Sequence, residues 1–199
     1  MCGRFTFDIP TELLAEIFGL SYVPSISPNY NTVPTQMSPV VRQVSDHNVL
    51  SPMKWGLVPS WAKDPSIGSQ MINARSETVA TKPSFRHAIK YNRCIVPVSG
   101  FFDWKHEGKT KTPYYFRMKN SRPLGLAGIW EEWKAPDGSI LDTFSILTTT
   151  ANKLVSTVHE RMPVILAPDE YERWLNKHLT DTAQLESLYQ PFPDEVMEA

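Results

Sequence analysis

A cysteine stands second in the chain, directly behind the initiator methionine, in the segment Met-Cys-Gly-Arg-Phe. Cysteine is small enough for a preceding initiator methionine to be removed, and removal of Met1 would leave Cys2 with a free α-amine beside its thiol. This 1,2-aminothiol forms an imine with an aldehyde and then closes a thiazolidine ring through sulfur. The amine ordinarily titrates near ~8 and the thiol near ~8.5, so both nucleophiles are available near neutral pH. The alternative is a start codon followed by an ordinary first strand.

Three further residues have types and neighbours suited to anion binding or proton transfer. Arg4 places a positive charge two residues from Cys2, where it is expected to lower the thiol pKa or hold a phosphate. Asp103 stands between aromatic residues, and exclusion of water there would favour a role as general acid or base. His159 is a candidate general acid or base. The structural alternatives are a capped turn for Asp103 and a hydrogen-bonding role for His159.

Other residues are candidates for contact with a nucleic acid. Trp61 lies in a loop that contains proline, where an aromatic side chain either stacks on a base or covers the core. Asn73 and Arg75 are two positions apart, so they point to one face of a predicted strand. The segment 75–93 has five basic residues and one acid, Glu77. This basic segment indicates either a solvated helix face or a patch that faces phosphates.

Composition limits the classes of function. The formal net charge of −1 over 199 residues excludes a globally basic nucleic-acid-binding protein, so any such site must be a local patch. The two cysteines do not form a disulfide framework, and Cys94 is predicted to be an inert core thiol. No apolar segment approaches the roughly 20 residues of a membrane span, and no signal segment opens the chain. We therefore expect a cytoplasmic protein. The five histidines have no metal-ligand spacing, and no metal or cofactor is expected.

The chain reads as many short strands with a few helices. Strands are predicted at 3–7, 37–44 and 49–55, in the segment around Asn73, in 93–105, within 107–119 after a hairpin turn, and in 124–134 and 142–150, with a short one at 164–166. Helices are predicted at 10–18, around 83–90, before His159, at 168–175 and at 181–188, and the segment 22–34 is predicted to be loop. No repeat or linker divides residues 1–199. The pattern favours one α+β domain with a curved, barrel-like antiparallel or mixed sheet core.

Six motifs in this order resemble those of the SRAP (SOS response-associated peptidase) family: MCGRF, YNTVP, WGLVPSWAKD, MINARSET, GFFDWK and HERMPVIL. The resemblance extends from Met1 to about Tyr189, and the ordered set is highly specific although no single motif is. Members of the family form covalent crosslinks to abasic DNA.

The resemblance implies a β-rich fold with a positively charged groove for single-stranded DNA. It implies that Cys2 captures the aldehyde of an abasic site as a thiazolidine, and that the protein removes its own Met1. The matching positions imply that Cys2, Asn73, Asp103 and His159 are catalytic. They also imply DNA contacts by Arg4, Trp61, Arg75, Thr148 and Arg161. The expected partner is single-stranded DNA with abasic sites, bound by a monomer.

Two departures from the family pattern affect these expectations. The family usually has Glu where this chain has Asp103, and the shorter side chain is expected to slow proton transfer or to act through a water. The family also usually continues beyond the position of Ala199, so a shortened C-terminal segment is expected. Two other functions fit the same residues. One is a cysteine peptidase or amidohydrolase with Cys2 as nucleophile, and the other is a non-covalent single-stranded DNA-binding module.

Overall fold

The computed structural model describes residues 2–199, which form thirteen strands, three short α-helices and five 3₁₀ helices. The strands are β1 Arg4–Phe7, β2 Asn29–Thr32, β3 Met37–Val44, β4 His47–Trp55, β5 Asn73–Arg75, β6 Arg93–Val98, β7 Gly100–Glu107, β8 Thr110–Met118, β9 Leu124–Lys134, β10 Ile140–Thr150, β11 Arg161–Pro163, β12 Ile165–Leu166 and β13 Met197–Glu198. The α-helices are α1 Thr11–Phe18, α2 Ala88–Tyr91 and α3 Tyr171–Leu175. The 3₁₀ helices are Pro65–Gln70, Val155–Thr157, Pro168–Glu170, Thr182–Tyr189 and Asp194–Val196.

Five strands close into a mixed barrel in the order β10, β4, β3, β6, β9 and back to β10. The pairing of β10 with β4 is parallel, and the other four pairings are antiparallel. All six residues of β6 are buried, as expected for a strand whose two faces are both covered. The predicted single β-rich domain with a barrel-like mixed core is confirmed.

A second, five-stranded sheet has the order β13, β8, β7, β1, β2. Strand β1 therefore has a partner on each side: Phe5 pairs with Thr32 on β2 and with Phe101 on β7. Cys2, which precedes this strand by two positions, packs in the same apolar cluster as Phe5, Phe101 and Phe116. The position of β1 inside the sheet thus places the N-terminal cysteine in the interior of the molecule.

Strand β10 is long enough to serve both the barrel and the elements beside it. Its first residues pair with β9 and β4, and its last residues pair with β5 and β11. Thr148 is opposite Arg75 on one side and Pro163 on the other. The end of β10 therefore brings β5, which carries Asn73, near β11, which follows His159.

The sequence predicted most of these elements, including α1 and its end at Gly19, which adopts the left-handed conformation with φ 62°. Three predictions were wrong in part. The segment 22–34 is not all loop, because β2 lies within it. The single strand predicted at 93–105 is two strands, β6 and β7. The helix predicted around 83–90 is reduced to the four residues of α2. Strand β11 was not predicted.

Arg93 is buried although it belongs to the basic segment 75–93. Its Nε donates to the carbonyl oxygen of Trp174 at 2.6 Å, and one terminal nitrogen donates to the carbonyls of Ile89 and Lys90 at 2.7 and 2.9 Å. The other terminal nitrogen donates to the carbonyl of Asn176. These carbonyls lie at the C-terminal ends of α2 and α3, where backbone acceptors lack intrahelical partners. Burial lowers the pKa of Arg93 to about 10. Arg93 is therefore a structural residue and not part of a phosphate patch.

We expect Arg93→Met to lower the free energy of unfolding by about 3–5 kcal/mol, because several buried carbonyl groups lose their donor. The measurement is urea denaturation followed by tryptophan fluorescence. Arg86→Met is the matched control, since Arg86 is exposed and lies in the same segment. Its effect is expected to stay within about 0.5 kcal/mol. Equal effects of the two substitutions would contradict the structural role of Arg93.

Candidate active site

Cys2 is fully buried and is fixed through its backbone by Asn73. The Nδ2 group of Asn73 donates a hydrogen bond to the carbonyl oxygen of Cys2 at 2.9 Å. The Oδ1 atom of Asn73 is also buried, and it accepts no hydrogen bond from any group in residues 2–199. Asn73 therefore holds Cys2 with its donor and retains an acceptor beside the N-terminal segment. Two residues that are 71 positions apart in the chain are thus in direct contact.

The environment of Cys2 raises the pKa of its thiol to about 12. Burial is the largest cause, because it disfavours the thiolate, and the negative charge of Asp103 is the next. The backbone N–H of Arg4 acts in the opposite direction but is outweighed. The net effect is therefore opposite to the lowered thiol pKa that was expected from Arg4. In this state the sulfur carries its proton at neutral pH.

Asp103 lies on β7, the strand that pairs with β1. Its side chain is buried, with 4% of the residue exposed, and its Oδ1 accepts a hydrogen bond from the backbone N–H of Trp104 at 2.9 Å. This bond draws the short carboxylate towards its own strand. Its charge nevertheless acts on the Cys2 thiol, so the two side chains share one electrostatic environment.

His159 follows the 3₁₀ helix Val155–Thr157 and shortly precedes β11. Its Nδ1 accepts a hydrogen bond from the backbone N–H of Arg161 at 3.0 Å. An imidazole nitrogen that accepts a hydrogen bond carries no proton, so the neutral ring has its proton on Nε2. The backbone therefore selects the tautomer in which Nε2 can donate a proton.

Asp103 and His159 line one open cleft of about 530 Å³ together with Arg4, Trp104, His106 and Lys111. Residues that are far apart in the sequence thus come together. Asp103 and His159 line one cleft, the charge of Asp103 raises the pKa of the Cys2 thiol, and Asn73 donates a hydrogen bond to Cys2. The structure therefore brings together the four residues that the sequence suggested for catalysis. Trp104, His106 and Lys111 were not predicted from the sequence to line the site. The alternation of Trp104 and His106 along one strand was the available signal for those two.

The residues predicted to contact DNA fall into two groups, of which the first is accessible. Trp61 is 60% exposed, and Arg75 is exposed at the end of β5. The guanidinium of Arg4 lies over the ring of Trp104, 5.2 Å from its centroid. No carboxylate within residues 2–199 forms an ion pair with Arg4 or Arg75. These three side chains are available to a ligand.

Arg161 and Thr148 form the second group, which is engaged within the protein. Arg161 binds both carboxylate oxygens of Glu77, at 2.5 and 3.0 Å, and donates to the carbonyl of Thr148 at 2.7 Å. Only 11% of the Arg161 side chain is exposed, and Thr148 is fully buried. The hydrogen bond from Arg161 lowers the pKa of Glu77, so this carboxylate stays ionised. Both side chains are therefore used within the protein, and Glu77, the partner of Arg161, was not predicted from the sequence.

Within residues 2–199, no three His, Cys, Asp or Glu side chains are arranged to hold a metal ion. Over the same residues, no helix has the length and apolar character to cross a membrane.

The family model for SOS response associated peptidase (SRAP) matches residues 1–199. The chain belongs to the SRAP family. It is similar to YoqW of Bacillus subtilis strain 168, an abasic site processing protein, with 41% identity over 203 residues that cover all of this chain and 91% of YoqW. It is also similar to HMCES of Gallus gallus, another abasic site processing protein, with 36% identity over 196 residues that cover 82% of this chain and 58% of HMCES.

A crystal structure of a protein from Bacteroides thetaiotaomicron has the same architecture as this SRAP chain. The TM-score is 0.90 at 33% identity, and the match covers 99% of this chain and 90% of the other. A crystal structure of a protein from Bordetella bronchiseptica gives a TM-score of 0.86 at 25% identity, covering 99% of this chain and 97% of the other. The barrel and the second sheet are therefore an architecture that this SRAP chain shares with solved structures.

Proposed function

We propose that this protein recognises abasic sites in single-stranded DNA and captures their aldehyde as a thiazolidine on Cys2. The observation that carries the proposal is the position of Cys2, which is held by Asn73 and lies in the field of Asp103, a residue that lines a cleft together with His159. Membership of the SRAP family and the names of the relatives YoqW and HMCES support the choice of abasic DNA. The amine of Cys2 is free only after Met1 is removed, and Met1 lies outside the described residues. We assign the peptidase activity in the family name to this removal.

The first chemical step opens the sugar ring. An abasic deoxyribose is mainly a cyclic hemiacetal, so the aldehyde forms when the ring oxygen gains a proton and the C1 hydroxyl loses one. The Nε2–H of His159 is suited to donate to the ring oxygen, because the backbone N–H of Arg161 occupies Nδ1. The carboxylate of Asp103, in the same cleft, is suited to accept the hydroxyl proton.

The second step joins the protein to the sugar. The α-amine of Cys2 attacks the C1 aldehyde, and the carbinolamine loses one water to give an imine. The buried Oδ1 of Asn73 is the acceptor that orients the amine. Asp103 first returns the sugar proton to Nε2 of His159, and then accepts the amine proton and gives it to the departing hydroxyl, which leaves as water. The Cys2 thiol then adds to the imine carbon. The proton of the thiol passes to the nitrogen as the ring closes. The overall change is loss of one water, and no oxidant or reductant is required.

Binding of the strand precedes this chemistry. Arg4 and Arg75 have no carboxylate partner within residues 2–199 and are proposed to bind phosphates. Trp61, which is 60% exposed, is proposed to stack on a neighbouring base, an interaction worth about 1–3 kcal/mol. Arg161 contributes indirectly, because it binds both Glu77 and the backbone carbonyl of Thr148.

The test mixes purified protein, shown by intact mass to lack Met1, with a single-stranded oligonucleotide that carries one abasic site. A shifted band on a denaturing gel is expected. The matched control oligonucleotide carries a tetrahydrofuran in place of the abasic sugar, which has no C1 hydroxyl and forms no aldehyde, and it should give no shifted band. Absence of the band with the abasic oligonucleotide would reject covalent capture and leave a non-covalent binding module.

A further inference from the structure

The cleft of the active site continues beyond Asp103 and His159 onto the hairpin formed by β7 and β8. Trp104 and His106 are two residues apart on β7, so they share a face of the sheet. His106 is directly opposite Lys111 on β8. Residues opposite each other in an antiparallel pair have Cβ atoms about 4.5–5.5 Å apart. An imidazole and an ammonium group therefore lie side by side at the outer end of the cleft.

The basic groups at this end have no anionic partner within residues 2–199. Lys105, on the other face of β7, is neutralised by Glu107 at 2.8 Å, whereas His106 and Lys111 form no ion pair with any described side chain. The only acid among the residues that line the cleft is Asp103, at its inner end. An ammonium group without a carboxylate partner among the described side chains, beside an imidazole, favours an anion from outside.

Arg4 extends the same surface towards the reactive centre. Its guanidinium is held over the ring of Trp104, and its Nε is buried without a hydrogen-bond acceptor in residues 2–199. Arg4 also lines the cleft, so the positive charge of its guanidinium favours an anion bound there. Arg4, His106 and Lys111 thus form a continuous basic wall.

The volume of the cleft indicates how much of a ligand it holds. At about 530 Å³ it lies within the range of roughly 300–1,000 Å³ that pockets for drug-sized ligands occupy. One deoxyribose is smaller than such a ligand. The cleft therefore has room for the reacting sugar and for an adjacent group.

We propose that His106 and Lys111, together with Arg4, form a subsite for the phosphodiester on one side of the abasic nucleotide. This inference rests on the proposed function, and it names the phosphodiester beside the abasic sugar as a further group that the protein binds. Trp104 acts as a positioning residue, because it holds the guanidinium of Arg4 against the cleft. Since the hairpin borders one end of the cleft, the subsite serves only one of the two flanking phosphodiesters. Nucleotides on that flank contribute to binding, and those on the other flank are independent of the hairpin.

The test compares wild-type protein with the double variant His106→Gln/Lys111→Gln on three single-stranded oligonucleotides. One has nucleotides on both sides of the abasic site, and the other two lack nucleotides and the linking phosphodiester on the 5′ or on the 3′ side. The double variant should crosslink the first oligonucleotide more slowly at subsaturating DNA. The slope of log rate against log salt concentration should fall by about 0.7 for each phosphate that the variant no longer neutralises. The difference from wild type should disappear for one of the truncated oligonucleotides and persist for the other.

The matched control is Lys105→Gln, which also removes a charge from β7 but on the opposite face, where Glu107 already neutralises it. It should behave as wild type with all three oligonucleotides. Equal rates for the double variant and wild type on the full oligonucleotide, or equal reductions on both truncated ones, would overturn the proposal.

Fluorescence anisotropy with the tetrahydrofuran oligonucleotide measures the affinity of the protein for DNA without any covalent step. The double variant should bind this oligonucleotide more weakly than wild type, and equal affinities would overturn the subsite. If wild type failed to crosslink abasic DNA, the proposed function would be rejected, and the anisotropy comparison would still decide the subsite.

Discussion

Cys2→Ser protein is expected to give no band that survives denaturation when it is mixed with abasic single-stranded DNA. Serine retains the α-amine and can form the imine, but its hydroxyl does not close a stable ring as sulfur does. The imine hydrolyses when the sample is heated, so the band should be absent. The measurement is the denaturing gel with the abasic oligonucleotide, after intact mass has shown that Met1 is absent from both proteins.

Borohydride separates the two steps of this reaction. Added during incubation, it reduces an imine to a stable amine, so Cys2→Ser should give a band with borohydride and none without it. Cys94→Ala is the matched control, because Cys94 is the other buried cysteine and does not line the cleft. It should crosslink as wild type does, provided that its melting temperature shows a folded protein. A heat-stable band from Cys2→Ser without borohydride would contradict ring closure by sulfur.

The second large effect concerns the rates at which the two cysteine thiols react with an alkylating reagent. In protein that retains Met1, Cys2 should react with iodoacetamide at pH 8 roughly a thousandfold more slowly than an ordinary cysteine thiol, because only the thiolate reacts. Burial raises the pKa of Cys2 to about 12, and burial also raises the pKa of Cys94. A raised pKa means that the thiolate is gained only at higher pH. The alkylation rate of Cys2 should therefore still rise about tenfold per pH unit between about pH 8 and 11, where an ordinary thiol levels off above about pH 9.

Removal of Met1 should change this behaviour for Cys2 alone. It creates a positively charged α-ammonium beside the sulfur, which favours the thiolate and lowers the thiol pKa. Cys94 lies in β6 and keeps its surroundings, so it is an internal standard in the same molecule. Peptide mass spectrometry after timed alkylation gives both rates. Equal rates for the two cysteines in both forms of the protein would contradict a thiol that is activated by exposure of the N-terminus.

Local patterns in the sequence were sufficient for much of the fold. Two apolar segments joined by the turn at 136–138 predicted β9 and β10, and Gly19 predicted the end of α1. Strand β2 was missed because its sequence, Asn-Tyr-Asn-Thr, is polar and only pairing with β1 makes it a strand. The division of 93–105 into β6 and β7 at Ser99 was missed because both strands are apolar. The chain passes there from the barrel to the second sheet, and that change depends on pairing with strands far away in the sequence.

The ordered family motifs predicted which residues of the site would come together. They did not predict how each residue is used, since that depends on contacts between distant segments. Arg161 was predicted to face DNA, but its guanidinium is engaged by Glu77, 84 positions away, and by the backbone of Thr148. His106 and Lys111 carry no recognisable motif and meet only because β7 and β8 pair in this register.

The length of β10 has a consequence for protein engineering. One unbroken strand completes the barrel with its first residues and supports Asn73 and the segment after His159 with its last. A substitution that shifts the barrel wall, for example at the fully buried Phe144, would be transmitted along this strand to the reactive groups. Variants whose barrel is repacked to raise thermostability should therefore also be tested for the rate at which they crosslink abasic DNA. Stabilising changes far from β10, such as in α1, are the safer starting point.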